Sequence, residues 1–443
     1  MLNNNHASPP MYIIGRLFDI EENAGGKMAR SKVEIDKPKS EKVEPFKWQF
    51  KPRFRRQAFG WKSQPAITRI KEAVAEIKKV SKKDPNLAAE GAVIFIERLV
   101  PAIEQVDGSS GSIGTAVNNA IKTLSPIIAI ALAKETQRDD WLERLFNAAQ
   151  DDGYGYLDDL VDYWGDFCAS KEKASQWADD LIDIVRSSWS SDPKLRGYFK
   201  GAPACLSALC KAERYEELLK LLELDTIKFW HYQQYGVRAL ASLGRVEEAL
   251  RHAEVCRATL NTSGAQVDAV CEEILLSFGL KDEAYQQYAI GANQGTTYLS
   301  TFRAIAKKYS HIQPSRILVD LVNSTPGQEG KWFATAKEIG QLDFALKLAE
   351  SSPCAPDTLN RAASDFVETN PRFALGAALC SLHWIAQGYG YEVTSSDVYK
   401  AYQNALYAAD RLQETEQVLD ILKKRYMQGN NFVTQVLARE LGS

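Results

Sequence analysis

Ala208-Leu209-Cys210-Lys211-Ala212-Glu213-Arg214-Tyr215-Glu216-Glu217-Leu218-Leu219 and Ala239-Leu240-Ala241-Ser242-Leu243-Gly244-Arg245-Val246-Glu247-Glu248-Ala249-Leu250 align without a gap, 31 positions apart. Each string reads as the end of one helix, a tight turn, and an acidic start to the next. A period in the low thirties is the signature of stacked helical hairpins, each burying its apolar face against its neighbour. The pattern returns at Phe278-Gly279-Leu280-Lys281-Asp282-Glu283-Ala284, 35 positions after the second string. It returns again at Ile339-Gly340-Gln341-Leu342-Asp343-Phe344-Ala345, 61 positions further on, which is about two periods. A last copy is Ala405-Leu406-Tyr407-Ala408-Ala409-Asp410-Arg411. A Gly or small residue before the turn and carboxylates after it suit tight antiparallel helices. No stretch has strong period-two alternation, so the expected fold is all-α: stacked antiparallel hairpins preceded by an N-terminal helical region and a disordered basic arm.

Length and composition agree. The 443 residues are 45% hydrophobic and 25% charged, within the range of folded globular chains. No apolar run nears the roughly 20 residues that span a bilayer, so no membrane association is expected. The N-terminus lacks the basic-then-apolar order of an export signal. Seven cysteines, none in a CxxC pair, read as buried thiols in a reducing cytoplasm.

The net charge of −3 conceals an asymmetry. Residues 27–83 hold 18 Lys and Arg against 6 Asp and Glu, and residues 84–443 hold 35 against 48. A basic arm thus precedes an acidic body. Residues 1–27 differ in character from the rest of the chain, and Met28-Ala29-Arg30-Ser31 reads as an alternative start. The expected division is an arm over 1–45, an N-terminal helical region over 46–190, and helical repeats over 191–443. Within the N-terminal region, one helix is expected from about Pro65 to Ser81 and another from about Pro85 to Val100.

The hairpins are similar to tetratricopeptide-like repeats without the full consensus. Phe54-Arg55-Arg56-Gln57-Ala58-Phe59-Gly60-Trp61, Ala88-Ala89-Glu90-Gly91-Ala92-Val93, Val106-Asp107-Gly108-Ser109-Ser110-Gly111, Trp141-Leu142-Glu143-Arg144-Leu145 and Tyr163-Trp164-Gly165-Asp166 resemble a family of bacterial all-helical proteins. That resemblance covers roughly Phe54 to Arg439. It implies a repeat-like helical fold in a bacterial cytosolic protein, and it brings no activity and no site residues.

Four groups of residues are candidates for function. Trp230, Tyr232, Tyr235, Arg238 and Tyr298 fall on first helices of hairpins, where exposed Trp, Tyr and Arg would anchor a partner. The segment Phe46–Lys62 alternates aromatics with bases. Lys47, Lys51, Arg53, Arg55, Arg56 and Lys62 could neutralise phosphates while Trp48 and Trp61 stack on bases, or the same bases could pair with acidic protein surface. Asp158, Asp162 and Asp166, at i, i+4 and i+8, would share one face of a helix, with Asp151, Asp152 and Asp159 nearby. Gly108, Ser109, Ser110 and Gly111 form a loop before a helix, a place where amides bind anions, though no GxxxxGK[ST] is present. Cys380 and His383 at i, i+3 lack further zinc ligands in sequence and read as core. His231 and His252 have no identifiable catalytic partner. No metal, cofactor or catalytic motif is expected. The functional expectation is a non-enzymatic scaffold that binds a protein or peptide, and its alternative is a nucleic-acid-associated protein acting through residues 47–62.

Overall fold

The computed structural model describes residues 46–226, 228–259, 263–426 and 430–442. The expected arm over 1–45, and with it the alternative start at Met28, lies outside the described residues. Among the described residues there are 21 α-helices and no strand. The fold class is all-α, as the repeat predicts.

The N-terminal region contains α1 (Ser63–Ser81), α2 (Pro85–Ile103), α3 (Ser112–Ile130), α4 (Glu135–Asp151), the short α5 (Trp164–Cys168) and α6 (Lys171–Ser188). Helix α2 begins where its sequence says it should. The Asp84 carboxylate accepts the Leu87 amide at 2.9 Å, and Pro85 occupies the first turn. It runs three residues past the expected end, through Pro101. The segment before α1 explains why. Gln57 and Phe59 donate their amides to the carbonyls of Pro101 and Ala102, at 2.8 and 3.3 Å. The final turn of α2, which has no partners of its own there, is capped by this strap.

The hairpins follow as α7 (Ala202–Lys211) with α8 (Tyr215–Glu223), α9 (Trp230–Ser242) with α10 (Val246–Thr259), and α11 (Gly264–Ser277) with α12 (Lys281–Ala292). Then come α13 (Tyr298–Lys308) with α14 (Pro314–Asn323), α15 (Phe333–Glu338) with α16 (Leu342–Ser351), α17 (Pro356–Phe366) with α18 (Pro371–Ala386), and α19 (Ser395–Leu412) with α20 (Thr415–Tyr426). Helix α21 (Phe432–Leu441) packs against α18, α19 and α20. The pair α13–α14 fills the double period between Gly279 and Gly340. Its second helix starts at Pro314 without a left-handed residue before it, so the turn motif is missing from the sequence there.

At five of the seven hairpins, all but α13–α14 and α17–α18, the turn is one structure repeated. Glu213, Gly244, Gly279, Gly340 and Gln413 all adopt a left-handed φ, between 59° and 78°. The next amide reaches back to the preceding helix: Arg214 to Leu209, Arg245 to Leu240, Leu280 to Leu275, Gln341 to Ala336 and Glu414 to Ala409, at 2.8–3.0 Å. This is the Schellman closure that glycine favours. At Gln413 and Glu213 a side chain carries the strain instead. Gln413→Gly is therefore expected to stabilise the C-terminal hairpins by about 1 kcal/mol, and Gly279→Ala to cost about as much at its own turn. Thermal unfolding of the two variants against wild type checks both signs.

The boundary expected at 190/191 is not a break in packing. Helix α7 packs along α5 and α6, and every residue from Ala202 to Leu209 is buried. Residues 190–199 look like a linker because they are polar, but they join elements of one core. The apolar core divides instead at α9. Tyr232, Tyr235 and Ala239 belong to the core that begins at Trp48, whereas Trp230, Val237, Leu240 and Ala241 belong to the one that runs to Leu441.

Candidate functional site

A groove of about 750 Å³ lies across α7, α9 and α11, the first helices of three successive hairpins. One wall is the turn of 3₁₀ helix Asp158–Tyr163 and α5 that follows it. The repeat builds the rest. His231, Gln234, Tyr235 and Arg238 of α9 line the groove, and so do Gln266, Ala269, Val270 and Glu273 of α11. Each of the second set lies 35 positions after its counterpart, the spacing of the two turns. Both sets follow i, i+3, i+4, i+7, one face of a helix. Ser207 of α7 stands 31 positions before Arg238, again the turn spacing, and it too lines the groove.

Hydrogen bonds tie the wall to the floor. The Ser207 hydroxyl donates to the Asp162 carbonyl at 2.8 Å and accepts the Gly165 amide at 3.0 Å. A β-carbon on Gly165 would stand 2.5 Å from the Ser207 carbonyl oxygen. Glycine is thus what lets α5 lie against α7. The Tyr235 phenol donates to Asp162 Oδ1 at 2.6 Å, and His231 Nε2 lies 3.6 Å from the same oxygen. Lys211 faces Asp166 at 3.6 Å. Arg238 donates to Gln234 and to Glu273, both at 2.9 Å, which spans α9 and α11.

Burial pushes the Asp162 carboxyl above the usual carboxylate range, against the pull of His231 and the Tyr235 hydroxyl. The same burial, with the nearby Asp162 charge, raises the Tyr235 phenol well above its ordinary value. The folded protein therefore holds the Asp162 proton more tightly than the unfolded chain does. Its contribution to stability is present at low pH and is lost as pH rises through the raised value. Asp162→Asn keeps an acceptor for Tyr235 and removes the charge. It is expected to raise the melting temperature at pH 7 relative to wild type, with a smaller difference at pH 4.

The structure places the sequence candidates unevenly. Trp230, Tyr232 and Tyr235 were expected as exposed anchors, but they are 6%, 6% and 5% exposed. Their rings fill the two cores that meet on α9, so they are not the hot spots of a partner surface; Trp230 and Tyr235 only edge the groove. Arg238 is half-buried and paired, and it does line the groove. Tyr298 belongs elsewhere. It meets Trp332 edge-on at 4.6 Å and lines a separate cavity of about 200 Å³.

Asp158, Asp162 and Asp166 do not share a helix face. The chain turns as a 3₁₀ helix through Asp158–Tyr163, so the three-residue period groups Asp159 with Asp162 and turns Asp158 away. Asp158 instead faces Lys200 at 3.8 Å, in an adjoining cavity of about 160 Å³ whose lining shares Asp159 and His231 with the groove.

Trp48 is buried together with Phe50, Phe54 and Phe59, its ring lying over Gly91, so it cannot stack on a base. Arg53 pairs with Glu72 and Arg56 with Glu104, and Arg55 donates to the Pro52 carbonyl at 2.8 Å. Lys47, Lys51 and Lys62 are exposed, as is Trp61 at 70%. The segment is a strap held by its aromatics. At Gly108-Ser109-Ser110-Gly111 the Asp107 carboxylate accepts the Ser109 amide at 2.9 Å. Left-handed Gly111 precedes α3 without a side-chain cap.

Sequence reading missed Ser207, Lys211, Gln234, Gln266 and Glu273 as groove residues. Laying the hairpins over one another at their turns would have found most of them, because the groove uses one helical face repeatedly.

His231 beside Asp162 has the form of an oriented base, but among the described residues of the groove no activated nucleophile stands with it. The Ser207 hydroxyl is spent on a backbone carbonyl, and burial pushes the Cys210 thiol up to about 12. Among the described residues no three His, Cys, Asp or Glu side chains are placed to hold a metal ion, and no helix is long and apolar enough to cross a membrane. No model of a known protein family matches the chain, and no curated protein matches it.

Proposed function

We propose that the protein is a helical-repeat scaffold that binds a segment of a partner protein in the groove over α7, α9 and α11. The observation that carries this reading is the register of the groove. The same face of successive first helices supplies its lining, and such a surface is what stacked hairpins offer a ligand. Its polar rim, half-buried Arg238 and the apolar patch at Ala269 and Val270 suit a peptide better than a compact cofactor. Seven free cysteines accord with a reducing cytoplasm, and the resemblance to bacterial all-helical proteins accords with a bacterial origin.

The nucleic-acid reading keeps less support. Trp48 is buried, and two of the arginines it counted on are paired with carboxylates.

A photo-crosslinking residue tests the proposal when placed at Gln266, exposed on the groove wall, and separately at Gln287, exposed on the second helix α12. The expected result is one protein crosslinked from Gln266 and not from Gln287, unchanged by nuclease. Equal capture at both positions would overturn the groove as the binding surface.

A further inference from the structure

The groove's charges are unevenly spent. Asp166 has Lys211, Glu273 has Arg238, and Asp162 has His231 and the Tyr235 hydroxyl. Asp159 is exposed, and among the described residues no cation pairs with it. Yet it sits where the groove and the smaller cavity meet, lining both. We propose that the groove takes an extended peptide bearing lysine or arginine, with one cationic side chain seated against Asp159. This deepens the scaffold reading and rests on it.

An incoming cation at Asp159 breaks no internal pair. An incoming anion would have to draw Arg238 or Lys211 from its carboxylate and pass Asp159 as it did so. Charge complementarity thus selects a basic segment. Aromatic surface supports the same choice. Tyr198, 76% exposed, lines the smaller cavity beside Asp159, so the stem of a lysine or an arginine meets aromatic surface there. Lys200, the cation of that cavity, is already held between Asp152 and Asp158. Three helices packed side by side span about 20 Å, which is roughly six residues of extended chain.

The test uses the full chain and three fluorescein-labelled ten-residue peptides, identical except that four positions are Arg, Gln or Glu. The Arg peptide is expected to bind at least tenfold more tightly than the Gln peptide at low salt, and the Glu peptide not to bind. Asp159→Lys should weaken the Arg peptide about tenfold without lowering the melting temperature, because among the described residues no ion pair depends on Asp159. Asp343→Lys, an exposed acid on α16, makes the same charge change and should have little effect. Equal losses from the two variants, or no loss from Asp159→Lys, would overturn the proposal. An environment-sensitive dye on Gln266→Cys separates the two failures. A response to the Gln peptide as strong as to the Arg peptide keeps the groove and discards the charge preference. Binding of the Arg peptide with a silent dye discards the groove itself.

Discussion

Arg138→Met is expected to destabilise the N-terminal core by about 3–5 kcal/mol, the largest single effect in the molecule. Arg138 is buried in α4, yet among the described residues no carboxylate meets it. Its guanidinium donates to three carbonyls: Ile128 at 2.7 Å, Phe167 at 3.2 Å, and Ala131. These are terminal carbonyls of α3 and α5, which have no helical amide to accept. A cation at two helix C-termini is also favoured by their dipoles. Burial lowers the Arg138 pKa, but the group begins so far above neutrality that it stays charged. Methionine fills similar space and donates nothing, so the carbonyls are left dry. Lysine, a single point donor, should recover only part of the loss. The effect reaches the groove, because α5 carries Asp166 and the Gly165 contact with α7. Calorimetry should show the N-terminal core melting earlier in Arg138→Met. A shift under about 1 kcal/mol would mean that water replaces the guanidinium and that the burial argument is wrong.

Glu272→Ala should cost about 2–4 kcal/mol in the C-terminal core. Its side chain is only 3% exposed and accepts from three side chains at the ends of two helices. Asn293 at the end of α12, Lys308 of α13 and the Tyr309 hydroxyl all lie at 2.7 Å. Lys308 can turn to water once the carboxylate is gone, being 39% exposed. Tyr309 cannot: it is fully buried, and its hydroxyl would be orphaned. The penalty should therefore shrink when Tyr309→Phe is combined with Glu272→Ala, by about 1 kcal/mol or more in a double-mutant cycle. Strict additivity would show that the network does not act as a unit. Glu272 precedes Glu273, a groove residue, so it sets the register of α11 against α13 while its neighbour faces the groove.

The architecture was legible because one turn is repeated. Gly244, Gly279 and Gly340 mark left-handed closures at a regular period, and the acidic starts after them mark second helices. Where the closure is absent, at α13–α14 and α17–α18, the hairpin left no mark and the period merely doubled. The site was harder to read. Tyr232 and Tyr235 have the residue types of an exposed anchor, but type does not say which face of α9 points inward, and both faces of that helix are packed. The aspartates were misplaced for a different reason. Their spacing suits an α-helix, whereas Gly155 and the turn around Asp152 start the segment as a 3₁₀ helix. Asp152 accepts the amides of Tyr154 and Leu157, at 2.9 and 2.7 Å, which fixes that start. The alternation of base and aromatic in residues 47–62 was visible, but the same pattern serves a strap or a stacking surface. Gly91 on α2, which makes room for the Trp48 ring, is what decides between them.

The groove over α7, α9 and α11 is proposed as the surface where a partner binds. It is tested most directly by affinity capture from native lysate on the full chain, with nuclease-treated and untreated halves, using wild type and Ala269→Trp. Ala269 is exposed and lines the groove, so tryptophan there fills the space without entering a core. The expected result is a stoichiometric protein on wild type in both halves and its loss on Ala269→Trp. Nucleic acid captured equally by both baits, with every protein released by nuclease, would contradict it.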